Sequence, residues 1–283
     1  MGDCRLTQAV RADPAWRYAF ASIAGTSHLR AGRPCQDASR CDVVKTPDGP
    51  VLVAALADGA GSAERGDVGA ALACALFSSE IAALLAGGGR VDMVDRVFLT
   101  GLLERHLAHV GLHTRADQLS PRAFASTLLG AVVGDNTAVF FQIGDGAIVI
   151  GGDSAAYDWV FWPQEGEYAN LTHFATDPDA PERITVRLVE KRIEQVALFS
   201  DGLQRLALHY ASQTAHAPFF RPLFAEVQAA PAGHAVQLSE ALGRWLSSPA
   251  VANRTDDDTS LILATRQYAA TPAPQPASDD GSL

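Results

Sequence analysis

Three times in this chain an apolar run stops on Asp-Gly: VLVAALA before Asp58-Gly59, VFFQIG before Asp145-Gly146, and VALFS before Asp201-Gly202. A fourth acidic group, Asp256-Asp257-Asp258, leads into the apolar run SLILA. A single Asp-Gly pair is a turn signal, and Asp48-Gly49, set among polar residues in KTPDGP, reads as a hairpin turn and nothing more. Repetition at strand ends says something else. Strands that carry acid at their ends and pair side by side bring those carboxylates to one rim of a sheet.

The rest of the chain agrees with strands in sheets. RYAFASIAG (17–25) alternates as a half-buried strand, and residues 40–58 read as two strands joined at Pro47-Asp48-Gly49-Pro50. An Ala- and Leu-rich helix follows over 67–87, stopped by Gly87-Gly88-Gly89, with a second long helix within 91–113. Strands return over 124–153 around the turn Gly134-Asp135-Asn136, then at 196–202 and 261–267, with two helical segments between the last two. The stretch from Ser154 to Arg183 is polar and studded with aromatics. No Pro- or Ser-rich linker divides 15–267, so these residues read as one domain, and 268–283 (Pro/Ala-rich) reads as a disordered tail. Strands in two blocks around a helical pair predict an α+β layered arrangement of antiparallel sheets with helices outside.

A rim of carboxylates is costly unless a cation neutralises it. All-oxygen ligation without converging Cys or His suits Mg²⁺ or Mn²⁺ better than Zn²⁺, and glycine after Asp lets a backbone carbonyl or a phosphate approach closely. Two such ions about 3.5–4 Å apart can share a hydroxide that attacks a phosphoester in line.

Composition narrows the partners. With 22 basic and 32 acidic residues the net charge of −10 repels nucleic acid and anionic lipid, so neither nucleic acid nor membrane is expected. Cys4, Cys35, Cys41 and Cys74 form no C-x-x-C pair or framework spacing, which points to reduced, packed thiols and a cytoplasmic location. The first residues lack the apolar core of a signal peptide, and no run was expected to approach the ~20 apolar residues of a membrane span.

In order along the chain, GTSHLRAGRPCQDAS (25–39), ALADGAGSAERGDVGA (55–70), FASTLLGAVV (124–133), QIGDGAIVI (142–150), ALFSDGL (197–203) and DDDTSLILA (256–264) resemble the motifs of the metal-dependent serine/threonine phosphatases of the protein phosphatase 2C type, bacterial branch. The resemblance spans roughly 20–265. It implies the family's fold, two central antiparallel β-sheets flanked by helices in an α-β-β-α sandwich. It implies two or three Mn²⁺ or Mg²⁺ ions, a phosphorylated protein substrate with a cognate Ser/Thr kinase, and attack on phosphoserine or phosphothreonine by a hydroxide bridging two metals. Carried over, Asp58 bridges both metals, the Gly59 carbonyl binds one, and Asp201 and Asp257 bind the other. Asp37 resembles the carboxylate that holds metal-bound water, and Asp145 the ligand of a third, looser ion.

Departures from the family pattern leave alternatives. Ala60 stands where animal members have a histidine, Gln36 replaces a common Glu, and Gly32 falls where the family has a phosphate-gripping arginine. Arg33 or Arg30 is the substitute candidate, since a planar guanidinium grips phosphate in bidentate fashion. In the last motif Asp256 or Asp257 takes the ligand role, with alignment of Ser260-Leu261-Ile262-Leu263 favouring Asp257. These departures also motivate two rivals, a phosphatase-like binding domain without turnover and a hydrolase of small phosphoesters. WPQEGEYANLTHF (162–174) is either a substrate-recognising flap or a surface loop anchored by Trp162 and Tyr168. His106, His109 and His113 recur near one helix face, a spacing more often structural than metal-binding. Neither a nucleotide-binding glycine pattern nor G-x-S-x-G is present.

Overall fold

A computed structural model describes residues 15–151, 156–162 and 172–266. The expected disordered tail and most of the expected flap, 163–171 with Tyr168, lie outside the described residues, as does Cys4. The strands in chain order are β1 (Arg17–Ile23), β2 (Asp37–Thr46), β3 (Gly49–Asp58), β4 (Leu128–Val133), β5 (Ala138–Ile143), β6 (Ala147–Gly151), β7 (Tyr157–Trp159), β8 (Thr185–Val189), β9 (Gln195–Phe199), β10 (Leu208–His209), β11 (Thr214–Ala215), β12 (Gly233–His234) and β13 (Thr259–Thr265). The helices are α1 (Thr26–Arg30), α2 (Gly66–Ala86), α3 (Arg96–Asp117), α4 (Ala180–Arg183), α5 (Gln204–Ala207), α6 (Ala217–Ala229), α7 (Val236–Leu246) and α8 (Pro249–Ala252).

Two sheets carry the fold. One runs β2-β3-β4-β5-β8, the other β12-β1-β13-β9-β6-β7, with β10 and β11 forming a separate small ribbon. The pairing is antiparallel throughout except for β1 with β12, which run parallel over Arg17↔Gly233 and Tyr18↔His234.

The two-residue period of β3 builds the layers. Val51, Val53, Ala55 and Ala57 face α2 and α3, where they meet Ala70, Ala73, Cys74, Phe77 and Leu102. Leu52, Ala54 and Leu56 face the other sheet and pack with Leu129, Ile148, Leu198 and Ile262. Behind the second sheet, Ala197, Phe199, Leu261 and Leu263 pack on Phe220 and Phe224 of α6 and Leu242 and Leu246 of α7. A sheet apolar on both faces must be covered on both, and this gives helix, sheet, sheet, helix in succession.

One sequence expectation fails here. At 21 residues with a mean hydropathy of 1.9, α2 is long and apolar enough to cross a membrane. Its apolar character has a second use in this fold, because Ala70, Ala73, Cys74, Phe77, Ile81 and Leu85 are core residues against the five-stranded sheet. Cys41 and Cys74 are buried free thiols and Cys35 is a half-buried one.

Candidate active site at the carboxylate rim

Asp37 opens β2 and Asp58 closes β3, and the hairpin register sets them opposite each other as its last pair. The chain leaves Asp58 under firm control. Its N–H donates to Thr127 Oγ1 at 2.9 Å, and its carbonyl accepts from the Thr127 N–H at 2.8 Å. Gly59 then donates to the Gln36 carbonyl at 3.0 Å and lies so close to neighbouring backbone that a Cβ would sit 2.6 Å from Gly66 C and 2.7 Å from Gln36 O. Only glycine fits there.

The other acids arrive from the second sheet and from the crossover between sheets. Asp145 stands in the turn from β5 to β6, where its carboxylate accepts from Thr172 Oγ1 at 2.9 Å and its carbonyl from the Gln204 amide. Asp201 follows β9 after Ser200, and Asp257 stands before β13, separated from it by Asp258.

Asp256 and Asp257 lie in a bend and Asp258 leads into β13, and the structure separates the three. Asp258 turns inward, 1% exposed, accepting from Gly25 N at 2.7 Å and Gln36 N at 2.6 Å, and bonding His28 Nδ1 at 2.7 Å. Asp256 and Asp257 are both exposed, and the Asp256 carbonyl is held by Ser27 N at 2.9 Å. Asp257 is the one whose charge acts on both Asp58 and Asp201.

The electrostatics are those of crowded like charges in a poorly solvated place. Burial, then the charges of Asp37, Asp201 and Asp257, push Asp58 well above the usual carboxylate range. Burial raises Asp37 to about 7 against the opposing pull of the Ser260 and Ser200 hydroxyls. Asp201 is raised to about 6 by burial and by Asp145 and Asp257, and Asp257 is raised first by its own partial burial. Both carboxyl oxygens of Asp37 and one of Asp201 are buried without a well-formed hydrogen bond. Their neighbours lean on them electrostatically without satisfying them.

These orphaned oxygens test the fit of a cation. Hard anionic oxygens, a close backbone approach at Gly59 and unsatisfied lone pairs suit Mg²⁺ or Mn²⁺. The rim is a convergence and not a closed cage: among the described residues, no three His, Cys, Asp or Glu side chains stand close enough together to enclose an ion.

The remaining candidates fall as follows. Arg33 is exposed and donates from Nη1 to the Gly61 carbonyl at 3.0 Å, which holds it over the loop after Asp58-Gly59, and Arg30 is exposed at the end of α1. Gln36 is buried with its Nε2 on the Ala63 carbonyl at 3.0 Å, so it braces the segment before Asp37. At the described ends of the expected flap, Trp162 packs edge-on against Trp159 and Tyr210, with ring centroids 5.4 and 5.7 Å apart. Sequence reading missed Thr127, Asp258 and His28 as supports of the rim. Thr127 lay in a quoted motif, but nothing in its spacing showed that it would clamp Asp58.

The three α3 histidines part company. His106 is fully buried with neither ring nitrogen bonded, His109 is exposed, and His113 packs against Phe124 at 6.1 Å. Burial, then the charge of His109, lowers His106 to about 4. Because this lies below the unfolded value of 6.5, the unfolded chain takes up the proton first as pH falls, so the stability tied to neutral His106 is complete above about pH 6.5 and lost toward 4. His106→Leu is therefore expected to raise the melting temperature, by several degrees more at pH 5 than at pH 7.5. Equal melting shifts at the two pH values would contradict this account.

Comparison with known proteins shows the family and the fold. A Serine/threonine-protein phosphatase 3 of Escherichia coli (strain K12) is 39% identical over 254 residues, covering 88% of this chain and 98% of that protein. A bacterial serine phosphatase crystal structure superposes with a TM-score of 0.59 at 15% identity, over 90% of this chain and 99% of its own. A serine/threonine phosphatase from Staphylococcus aureus superposes with a TM-score of 0.56 at 16% identity, over 88% and 94%. At such identities the two structures speak for the fold, which is the α+β sandwich of two antiparallel-rich sheets. With the Protein phosphatase 2C family profile also matching residues 24–247, the chain belongs to the protein phosphatase 2C family of phosphoprotein phosphatases.

Proposed function

We propose that this serine/threonine protein phosphatase works at the carboxylate rim, with Asp58, the Gly59 carbonyl, Asp201 and Asp257 holding two Mn²⁺ or Mg²⁺ ions and Asp145 holding a third more loosely. The observation that carries this reading is the set of buried, unsatisfied carboxyl oxygens on Asp37 and Asp201 beside a crowded Asp58. Bound there, the ions supply a water nucleophile at neutral pH and positive charge against the charge that develops on the phosphoryl group.

The chain's own residues do the rest. Thr127 and Gly59 fix Asp58 so that its carboxylate keeps one direction. Asp37, its carboxyl oxygens buried and unsatisfied opposite Asp58, is placed to accept a hydrogen bond or a proton from water at the rim. Arg33, carried on the same loop system through Gly61, is placed to grip a substrate phosphate, and the exposed Arg30 is the second candidate. Ala60 offers no proton donor, so the leaving oxygen takes its proton from another group. The substrate is a phosphoprotein, and a cognate Ser/Thr kinase would supply it. We place the enzyme in the cytoplasm, a reading supported by its buried free thiols.

The direct test is Mn²⁺-dependent phosphate release from a phosphothreonine peptide, which separates an enzyme from a binding domain. In the same assay Asp145→Ala is expected to match the unaltered protein at saturating Mn²⁺ and to fall severalfold below it at limiting Mn²⁺. Unchanged saturation behaviour, with unchanged stoichiometry by calorimetry, would remove Asp145 from the ligand set.

A further inference from the structure

Next to the rim lies a cavity of about 230 Å³ lined by the apolar Ile23, Leu29, Leu246, Val251 and Ala252, by four Ser and Thr residues, and by the rim acid Asp257 at its mouth. Its floor is core, since Leu246 and Val251 are almost fully buried, but its outer wall is Leu29, which is 64% exposed. Leu29 is thus a large aliphatic side chain left open to contact from a chain that passes the rim.

The outer wall is fixed rigidly to the rim. Gly25, at the root of α1, approaches the Asp257 backbone so closely that a Cβ would sit 2.2 Å from its carbonyl carbon. Ser27 bonds the Asp256 carbonyl through both N and Oγ, at 2.9 and 2.6 Å. Asp258 ties Gly25 and His28 to the same segment at 2.7 Å each. Leu29 and the Asp257 carboxylate therefore keep one spacing, and anything seated against Leu29 lies at a set distance from the reacting phosphate.

We propose that this cavity is a substrate subsite that takes one aliphatic side chain of the phosphoprotein, from a residue within three positions of the phosphorylated one. The proposal rests on the phosphatase reading of the rim. Continuity through Asp257 identifies the occupant, because a chain that delivers its phosphate to the rim runs past this mouth. The volume falls below the ~300–1,000 Å³ of small-molecule sites and suits a single side chain. Spacing along an extended peptide, about 3.3 Å per residue, limits the reach to a few positions. The lining offers no cationic side chain, so an acidic residue would lie unpaired there.

The test uses phosphothreonine peptides that carry Leu, Ala or Asp at one position at a time, over three residues on each side, with kcat/KM measured in Mn²⁺. At one position Leu is expected to exceed Ala by tenfold or more, with Asp below Ala, as burial of one aliphatic side chain predicts. In Leu29→Asp, which changes an exposed side chain, the Leu-to-Ala ratio at that position drops to near one. Ala252→Phe, which fills the cavity from α8, gives the same loss of preference by a different route. A flat profile in the unaltered enzyme, or a preference that survives in both variants, overturns the subsite. Absence of Mn²⁺-dependent turnover for every peptide instead overturns the phosphatase reading beneath it.

Discussion

Asp58→Asn and Asp201→Asn are each expected to lower Mn²⁺-dependent phosphatase activity by at least about a hundredfold, because each removes an anionic oxygen from the set that would hold the ions. Loss of activity alone does not distinguish a ligand from a structural residue, so the expectation extends to the metal-free protein. There Asp58 is crowded by Asp37, Asp201 and Asp257 and is pushed toward its neutral form. Asparagine copies the size of that neutral acid and relieves the repulsion. Asp58→Asn should therefore melt no lower than the unaltered protein in chelator, and should lose most of the rise that Mn²⁺ gives. Near-normal turnover in either variant would refute the site, and a variant that unfolds in chelator would mark Asp58 as a fold residue first.

Metal and pH act on the same carboxylates, and the signs can be worked out. Asp37 at about 7, Asp201 at about 6 and Asp58, which is also raised, lie above the 3.8 of a free aspartate. In the absence of metal the folded chain keeps protons that the unfolded chain has released, so their stabilising share is complete below about pH 4 and is lost as pH rises through 6 and 7. In chelator the protein should melt higher near pH 5 than at pH 8, most clearly in a His106→Leu background where the opposing histidine is gone. Millimolar Mn²⁺ should reverse the order at pH 8. An ion at a hundred times its Kd adds about 2.7 kcal/mol, and each kcal/mol raises the melt by roughly 2–4 °C for a chain of this size. Superimposable melts in chelator and in Mn²⁺ would mean that these acids share no ion.

What the sequence could show depended on whether a feature was local or required the fold. The layers were legible because β3 alternates its faces without a break from Val51 to Ala57, and because α2 is too long and Ala-rich to be anything but a helix. Asp58, Asp145, Asp201 and the group Asp256-Asp257-Asp258 were legible because each adjoins an apolar run, whereas Asp37, in PCQDAS, came only from the family resemblance. Edge elements were not: β8 reads Thr-Val-Arg-Leu-Val with mostly exposed or half-exposed positions, and β12 is two residues whose pairing with β1 no pattern announces. Asp258 was hidden for another reason. Among three identical neighbours, composition cannot say which one turns inward; only the partners at Gly25, His28 and Gln36, more than two hundred residues away in sequence, decide it. The apolarity of α2 misled in the opposite sense, since a helix buried against a sheet and one that spans a bilayer satisfy the same length and hydropathy.

The rim draws Asp37 and Asp58 from the five-stranded sheet, Asp201 and Asp257 from the ends of the six-stranded one, and Asp145 from the turn that passes between them. During folding, a chain that has formed only one sheet owns at most a fraction of the ligand set, so it has little to offer an ion. If these acids hold the ion as proposed, cation affinity appears only when the two sheets dock through Leu52, Leu56, Ile148, Leu198 and Ile262. If docking falls after the rate-limiting barrier, metal leaves the speed of folding alone and lengthens the lifetime of the native state. The ion would act as a latch on a sandwich that has already closed.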